Sequence, residues 1–336
     1  MTSKSNLVKF TVLLILISLF GAACSQATPE EKDIVIGPEE FESGQEADAT
    51  QPPTRTASPA PTSTSTLEPA ITPSPTSTLL PLALHLSKAD EYINNLEYEL
   101  ALEELNQAIA IDPNLTEPYY QRGTIYLDQG KYNEAIADFT QVITLDDSIA
   151  KAYSGLGIAH AQKENFDQAF IEFEKALKID PQDPQVYINR GIAYVINNQS
   201  GYALADFDKA IELDPENAAG YRYRGVLHTF RGENEPAISD LNQAISLDPE
   251  NPELYLARGN YYASVNDLEK AIDDFSEAIA LFPNFVEALF LRASSYAALN
   301  DNENAISDFR KALEMASGGD LQELIIQALK DLNAYP

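Results

Sequence analysis

The residue types that could do chemistry in this chain recur at a fixed spacing. A base stands at Lys88, Arg122, Arg190, Arg224, Arg258 and Arg292, always 34 residues or a multiple of 34 apart, with Leu156 the exception in the series. A matching acid recurs at Glu104, Asp138, Glu172, Asp206, Asp240, Asp274 and Asp308. The bases either form a cationic ladder for an anionic ligand or pair internally with the acids. The one-to-one recurrence favours internal pairing, which fixes geometry more than it adds stability. His85, His160 and His228 fill slots that other periods give to aromatics. His160 and His228 lie two periods apart, which separates them in space and argues against a shared metal. A Gly-rich phosphate loop and a zinc-ligand cluster are both missing from the sequence. No catalytic residue, metal or cofactor is expected, and an enzyme is the least favoured reading.

Cys24, the only cysteine, sits at the seam between an apolar run and an acidic, Pro/Thr-rich stretch. Lys4 and Lys9 precede the run 10–20, and Gly21, Ala22 and Ala23 lead directly into the cysteine. The run is too short for a membrane span, which takes about 20 residues. A basic start, a short apolar core and small residues read as a secretory signal. The segment resembles the bacterial lipoprotein signal, in which a cysteine after small residues is lipidated and becomes the mature N-terminus. That family usually carries Leu three residues before the cysteine; here Gly21 stands there, with Leu19 two residues earlier. The resemblance implies that residues 1–23 are removed and that Cys24 carries several acyl chains. One chain binds only marginally, and several hold. The protein is then extracytoplasmic and lipid-anchored to a bacterial cell membrane. Plain secretion with cleavage near Ala23, and an uncleaved short anchor, are the alternatives. Used in this way, Cys24 leaves the mature chain without a disulfide.

Residues 24–81 are rich in Pro, Thr, Ser, Glu and Ala. They hold too few large apolar groups to offset the entropy of ordering, so a disordered tether is expected. As a flexible coil it spans roughly 40 Å r.m.s.. The formal net charge is −30, from 22 Lys+Arg against 52 Asp+Glu. So acidic a surface repels phosphate backbones and excludes nucleic acid as the expected partner.

From residue 82 to residue 319 the chain is periodic. Ala101, Ala135, Ala169, Ala203, Ala237, Ala271 and Ala305 are in register, as are Leu105, Phe139, Phe173, Phe207, Leu241, Phe275 and Phe309. Small residues recur at Ala89, Gly123, Gly157, Gly191, Gly225, Gly259 and Ala293. Each period reads as two helices. Asp183-Pro184 and Asn251-Pro252 suit an N-cap and first helical position. Gly130, Asn198, Gly232, Asn266 and Asn300 suit a left-handed stop between the helices. Gly in the first helix is expected to admit the second helix opposite the recurring Ala, with the Phe filling the space between units. Period, small residue, aromatic, Ala, Phe and closing Pro resemble the tetratricopeptide repeat (TPR).

That resemblance implies an all-α solenoid of seven helix pairs: 82–115, 116–149, 150–183, 184–217, 218–251, 252–285 and 286–319. A capping helix follows over 320–336. Asp320 and Glu323 have capping-box spacing, and Leu321, Leu324, Ile325, Ala328 and Leu332 form one apolar stripe. The resemblance further implies a concave groove lined by the first helices. Its positions carry over to Tyr120, Ser154, Ile188, Arg222, Leu256 and Phe290, and one turn on to Thr124, Ile158, Ile192, Val226, Asn260 and Ser294. Ile196 and Phe230 lie beyond. The Lys/Asn set with which some TPR proteins clamp a C-terminal carboxylate is not supplied at these positions. An extended or helical segment with apolar anchors is the expected ligand. Together these readings describe a membrane-anchored scaffold that binds a protein or peptide in envelope complex assembly. A receptor-like lipoprotein for a peptide or small ligand is the alternative.

Overall fold

The computed structural model describes residues 75–316 and 318–335. Cys24, the signal-like segment and the tether through residue 74 lie outside the described residues. Among the described residues there are fifteen α-helices. They pair as α1 (Pro75–Asn94) with α2 (Tyr98–Ile111), α3 (Thr116–Asp128) with α4 (Tyr132–Leu145), and α5 (Ala150–Gln162) with α6 (Phe166–Ile179). Next come α7 (Pro184–Ile196) with α8 (Ser200–Leu213), and α9 (Ala218–Phe230) with α10 (Asn234–Leu247). The last pairs are α11 (Pro252–Ser264) with α12 (Leu268–Leu281), and α13 (Val286–Ala298) with α14 (Asn302–Met315). The fifteenth helix, α15 (Gly319–Asp331), packs on α14.

Local chemistry sets the helix ends. The Asp183 and Asn251 side chains accept from the backbone N–H groups of Gln185 and Glu253, with Pro at the first helical position of each helix. Each first helix ends on a residue with positive φ: Leu96, Gly130, Glu164, Asn198, Gly232, Asn266 or Asn300. The residue after each donates back five positions, as Lys131 N–H does to the Tyr126 carbonyl at 2.8 Å, which closes the helix carbonyls in a Schellman turn. Five of these seven positions are Gly or Asn and were legible; Leu96 and Glu164 take the same conformation without that chemistry.

Inside the pairs a large apolar residue, Phe in five units and Leu105 or Leu241 in the other two, lies buried on the second helix. Phe139, Phe173, Phe207, Phe275 and Phe309 are fully buried, each burial contributing roughly 2–3 kcal/mol. A Cβ on Gly191 would stand 2.5 Å from the Phe207 ring of its own unit. At Gly123, Gly157, Gly191 and Gly259 the missing side chain makes room for the phenyl ring rather than for the recurring alanine, which corrects the expectation there; at Gly225 a Cβ would meet the Ala237 carbonyl at 3.2 Å, the close approach expected. The ring also reaches the next unit. Phe139 lies against Gly123 of its own unit and Gly155 of the following one, and Phe207 stacks on Tyr223 with centroids 5.9 Å apart. From Ala237 to Leu329 buried side chains of successive units join in one large cluster that also takes in Ile196 and Val226, whereas Ala203, Phe207 and Leu227 and the earlier units form smaller ones.

Two boundaries differ from expectation. Residues 75–81, assigned above to the tether, are helical as the start of α1. Pro75 opens that helix, where its missing N–H costs nothing, and the leucine-rich stretch that follows favours continuation through Pro81. At the other end the Asp320/Glu323 capping box does not form. Gly318 is the N-cap of α15, with φ 109°, so Asp320 lies inside the first turn and no side chain caps the helix. The apolar stripe of α15 does pack on the array, with Ile325 and Leu329 buried.

Candidate functional site

First helices of successive units lie side by side: α3 touches α5, α5 touches α7, α7 touches α9 and α9 touches α11. Their shared face is where the groove residues were expected. The structure divides them into two sets. Ile188, Val226, Leu256, Asn260 and Phe290 are buried, at 0 to 4% exposure, so a ligand does not reach them without rearrangement. Close approach of neighbouring first helices is the reason. Ser154 is buried in the same way and accepts a hydrogen bond from the Asn189 amide of the next unit at 3.0 Å. The buried Asn260 amide finds no hydrogen-bond partner among the described residues. Ile196 is buried too. The reachable set is Tyr120, Ile158 and Ile192, half-buried, Ser294 beside them, exposed Thr124, and Phe230, which is 56% exposed.

Charged side chains cross this face from unit to unit. Lys151 Nζ lies 3.3 Å from the Glu117 carboxylate and 4.1 Å from the centroid of the Tyr120 ring. Arg222 donates to Glu253 of the next unit at 2.7 Å and to the Tyr223 hydroxyl at 2.8 Å. Arg222 is thus a tie between units as well as a groove residue.

The recurring bases are internal ties. In five units the arginine of the first helix donates through Nε and an Nη to both carboxylate oxygens of the acid sixteen residues on, at 2.6–2.9 Å. Arg122, Arg224, Arg258 and Arg292 give their other Nη to the preceding unit, at Asn106, Asp208, Asn242 and Ser276. Tyr119, Tyr187, Tyr221 and Tyr255 hold their rings 5.5–5.9 Å from the guanidinium carbons. Hydrogen bonds to Asp138, Asp240 and Asp274 hold the Arg122, Arg224 and Arg258 pKa values above the usual arginine range. The bidentate fork matches a carboxylate and leaves little freedom of angle between the helices. In unit one the shorter Lys88 shares Glu104 with His85.

The sequence profile described as "Tetratricopeptide repeat protein 21 N-terminal ARM repeat" matches residues 119–306, and that of the TPR repeat matches residues 89–130. The chain belongs to the tetratricopeptide repeat family. Its fold is shared with a tetratricopeptide repeat protein from Parabacteroides merdae ATCC 43184, at 21% identity and a TM-score of 0.57, over 76% of this chain and 99% of that one. A chain of the APC/C hetero-tetramer is similar at 19% identity and a TM-score of 0.58, over 74% of this chain and 49% of that one. The type IV pilus biogenesis factor PilW is similar at 18% and 0.53, over 62% and 97%. No curated protein matches the chain.

One TPR unit breaks the ladder, and a sequence signal marks it. Units with arginine carry Asp as the partner; the two units without it, at Lys88 and Leu156, carry the longer Glu104 and Glu172. Glu172 is 5% exposed and is held from its own helix, by the Gln168 amide and by Lys175 Nζ at 3.0 and 3.1 Å. Lys175 Nζ also stands 5.7 Å from the centroid of the Tyr153 ring, where other units place a guanidinium. The switch from Asp to Glu was readable, and it signals a base arriving from another position. Among the described residues no three His, Cys, Asp or Glu side chains are grouped to hold a metal ion.

Proposed function

We propose that this TPR chain is a lipid-anchored, extracytoplasmic scaffold that binds another protein through its first-helix face, in the assembly of bacterial envelope complexes. The observation that carries the binding role is the reachable apolar line of that face. Ile158, Ile192 and Phe230 belong to three successive units and stay accessible, while their neighbours are buried in the frame. An amphipathic helix or extended segment with apolar anchors fits such a line. Anchoring rests on Cys24 after Gly21-Ala22-Ala23 and on the Pro/Thr-rich stretch that follows it.

The test is photocrosslinking from position 192 in intact cells, with position 174 on the second-helix side as the control, followed by affinity capture. One protein partner is expected in near-stoichiometric yield from position 192 only, reduced about tenfold by Phe230→Asp. Equal yields from both positions, or none, overturn the binding role. Cys24→Ser should move the chain from the membrane to the soluble fraction; unchanged retention overturns the anchor.

A further inference from the structure

Where the ladder is broken, the slot has not closed. A cleft of about 370 Å³ stands beside Leu156. Its walls include Thr140, Tyr153, His160, Glu172 and Lys175. Every feature that receives an arginine in other units has its counterpart here. Glu172 replaces the aspartate that takes the bidentate fork. Tyr153 replaces the ring beside the guanidinium. Thr140, in the preceding unit, stands at the position from which Asn106, Asn242 and Ser276 accept the remaining N–H of the next unit's arginine. Leu156, in the arginine's own place, offers no donor.

We propose that this cleft takes a guanidinium from outside: an arginine side chain of a bound protein completes the ladder at unit three. Two further observations favour an incoming ligand over a merely patched gap. His160 lines the cleft and its buried Nδ1 has no hydrogen-bond partner, so turning that ring, in the Nε2–H tautomer, would offer an N–H acceptor to the ligand. The cation now in place is Lys175, whose side chain is 49% exposed, so it can swing to solvent while an incoming guanidinium takes over the buried Glu172 carboxylate. A planar donor fork suits these acceptors better than an ammonium does, because it can satisfy both Glu172 oxygens while lying along the tyrosine ring. A metal ion would find one carboxylate and one imidazole here, too few to hold it. The net charge of −30 draws cationic partners toward the array.

This site is separate from the face discussed above. Leu156 lies two residues from both Ser154 and Ile158, about 200° around the helix. The arginine site can therefore fail while the first-helix face binds, or the reverse.

The probe is blocked arginine, N-acetylarginine amide, titrated into the full chain in detergent while the Leu156 methyl signals are followed by NMR. A saturable shift is expected. It should be weaker with the blocked lysine and weakened about tenfold or more with blocked citrulline, which is isosteric but neutral. Leu156→Arg fills the slot from within and should abolish the shift; should that variant misfold, Glu172→Gln carries the same expectation. Phe230→Asp, on the other face, should leave the shift intact. Equal responses to arginine and citrulline, or a response that survives Glu172→Gln, overturn the proposal. Loss of the response in Phe230→Asp would deny that the two sites are separate.

Discussion

Unit three (150–183) and unit four (184–217) are built to one plan, and only unit four carries the arginine tie. Both bury an alanine and a phenylalanine on the second helix, Ala169 with Phe173 and Ala203 with Phe207. Both place glycine under that ring, at Gly157 and Gly191. Unit four then has Arg190, Tyr194 and Asn198 where unit three has Leu156, His160 and Glu164. Those positions are four residues apart along a first helix and its end, so they share one side of it. The frame is held constant where rings and backbones meet, at Gly157 and Gly191, Ala169 and Ala203, and Phe173 and Phe207. Among the differences between the two units, those at Leu156, His160 and Glu164 lie along the arginine ladder. The comparison teaches that unit three keeps its packing and gives up its internal tie.

The sharpest way to break the comparison is to give unit four the defect of unit three. Arg190→Leu leaves Asp206, 5% exposed, without the fork that holds it at 2.7 and 2.8 Å. Stranding a buried carboxylate costs about 2–3 kcal/mol. In unit three the Gln168 amide still donates to the buried Glu172 when its half-exposed base is lost, so Lys175→Met should cost less, about 1–2 kcal/mol. Urea unfolding combined with hydrogen exchange measures both, since exchange locates the loss in one unit. Equal costs would mean that the arginine fork stabilises its unit no more than the lysine tie does.

A smaller effect is expected at the turn. Glu164 has φ 60° and Asn198 has φ 56°, both in the left-handed region. A glutamate there costs about 1 kcal/mol, which asparagine partly avoids. Glu164→Asn should therefore stabilise unit three by about 0.5–1 kcal/mol, and Asn198→Glu should destabilise unit four by a similar amount. Chemical denaturation midpoints give both. If neither midpoint moves, the backbone strain is relieved elsewhere and the two turns are equivalent.

The same contrast shows what a single sequence discloses. Anything fixed by a period was legible: the helix pairs, the caps at Asp183 and Asn251, and internal pairing of Arg with Asp. Such features depend on contacts within a unit or with its neighbour, and those repeat every 34 residues. The reachability of the first-helix face was not legible, because it depends on how closely helices from different units approach. Ile188 and Ile192 are four residues apart and equally apolar, yet one is buried and the other half-open. The start of α1 at Pro75 was missed because it precedes the periodic region. Glu172 was counted as one more acid, although its extra methylene was the mark that its base comes from Lys175.

The smallest expected effect decides which force governs the edge of unit three. Burial lowers the His160 pKa, the negative charge of Glu172 opposes that shift, and Lys163 adds to it; the net direction is down. A histidine whose folded pKa lies below its unfolded value of about 6.5 binds its proton more readily when unfolded. Stability is then full above about pH 6.5 and is lost as pH falls through the folded pKa. His160→Tyr, which gives unit three the residue of Tyr194, should flatten this part of the profile. The ring-proton titration of His160 should show a midpoint below about 6.5. A midpoint above it would mean that Glu172 outweighs burial, which requires a carboxylate less neutralised by Lys175 than its 3.0 Å contact indicates. In that case the acidic half of the slot would be open to an incoming cation even before Lys175 moves away.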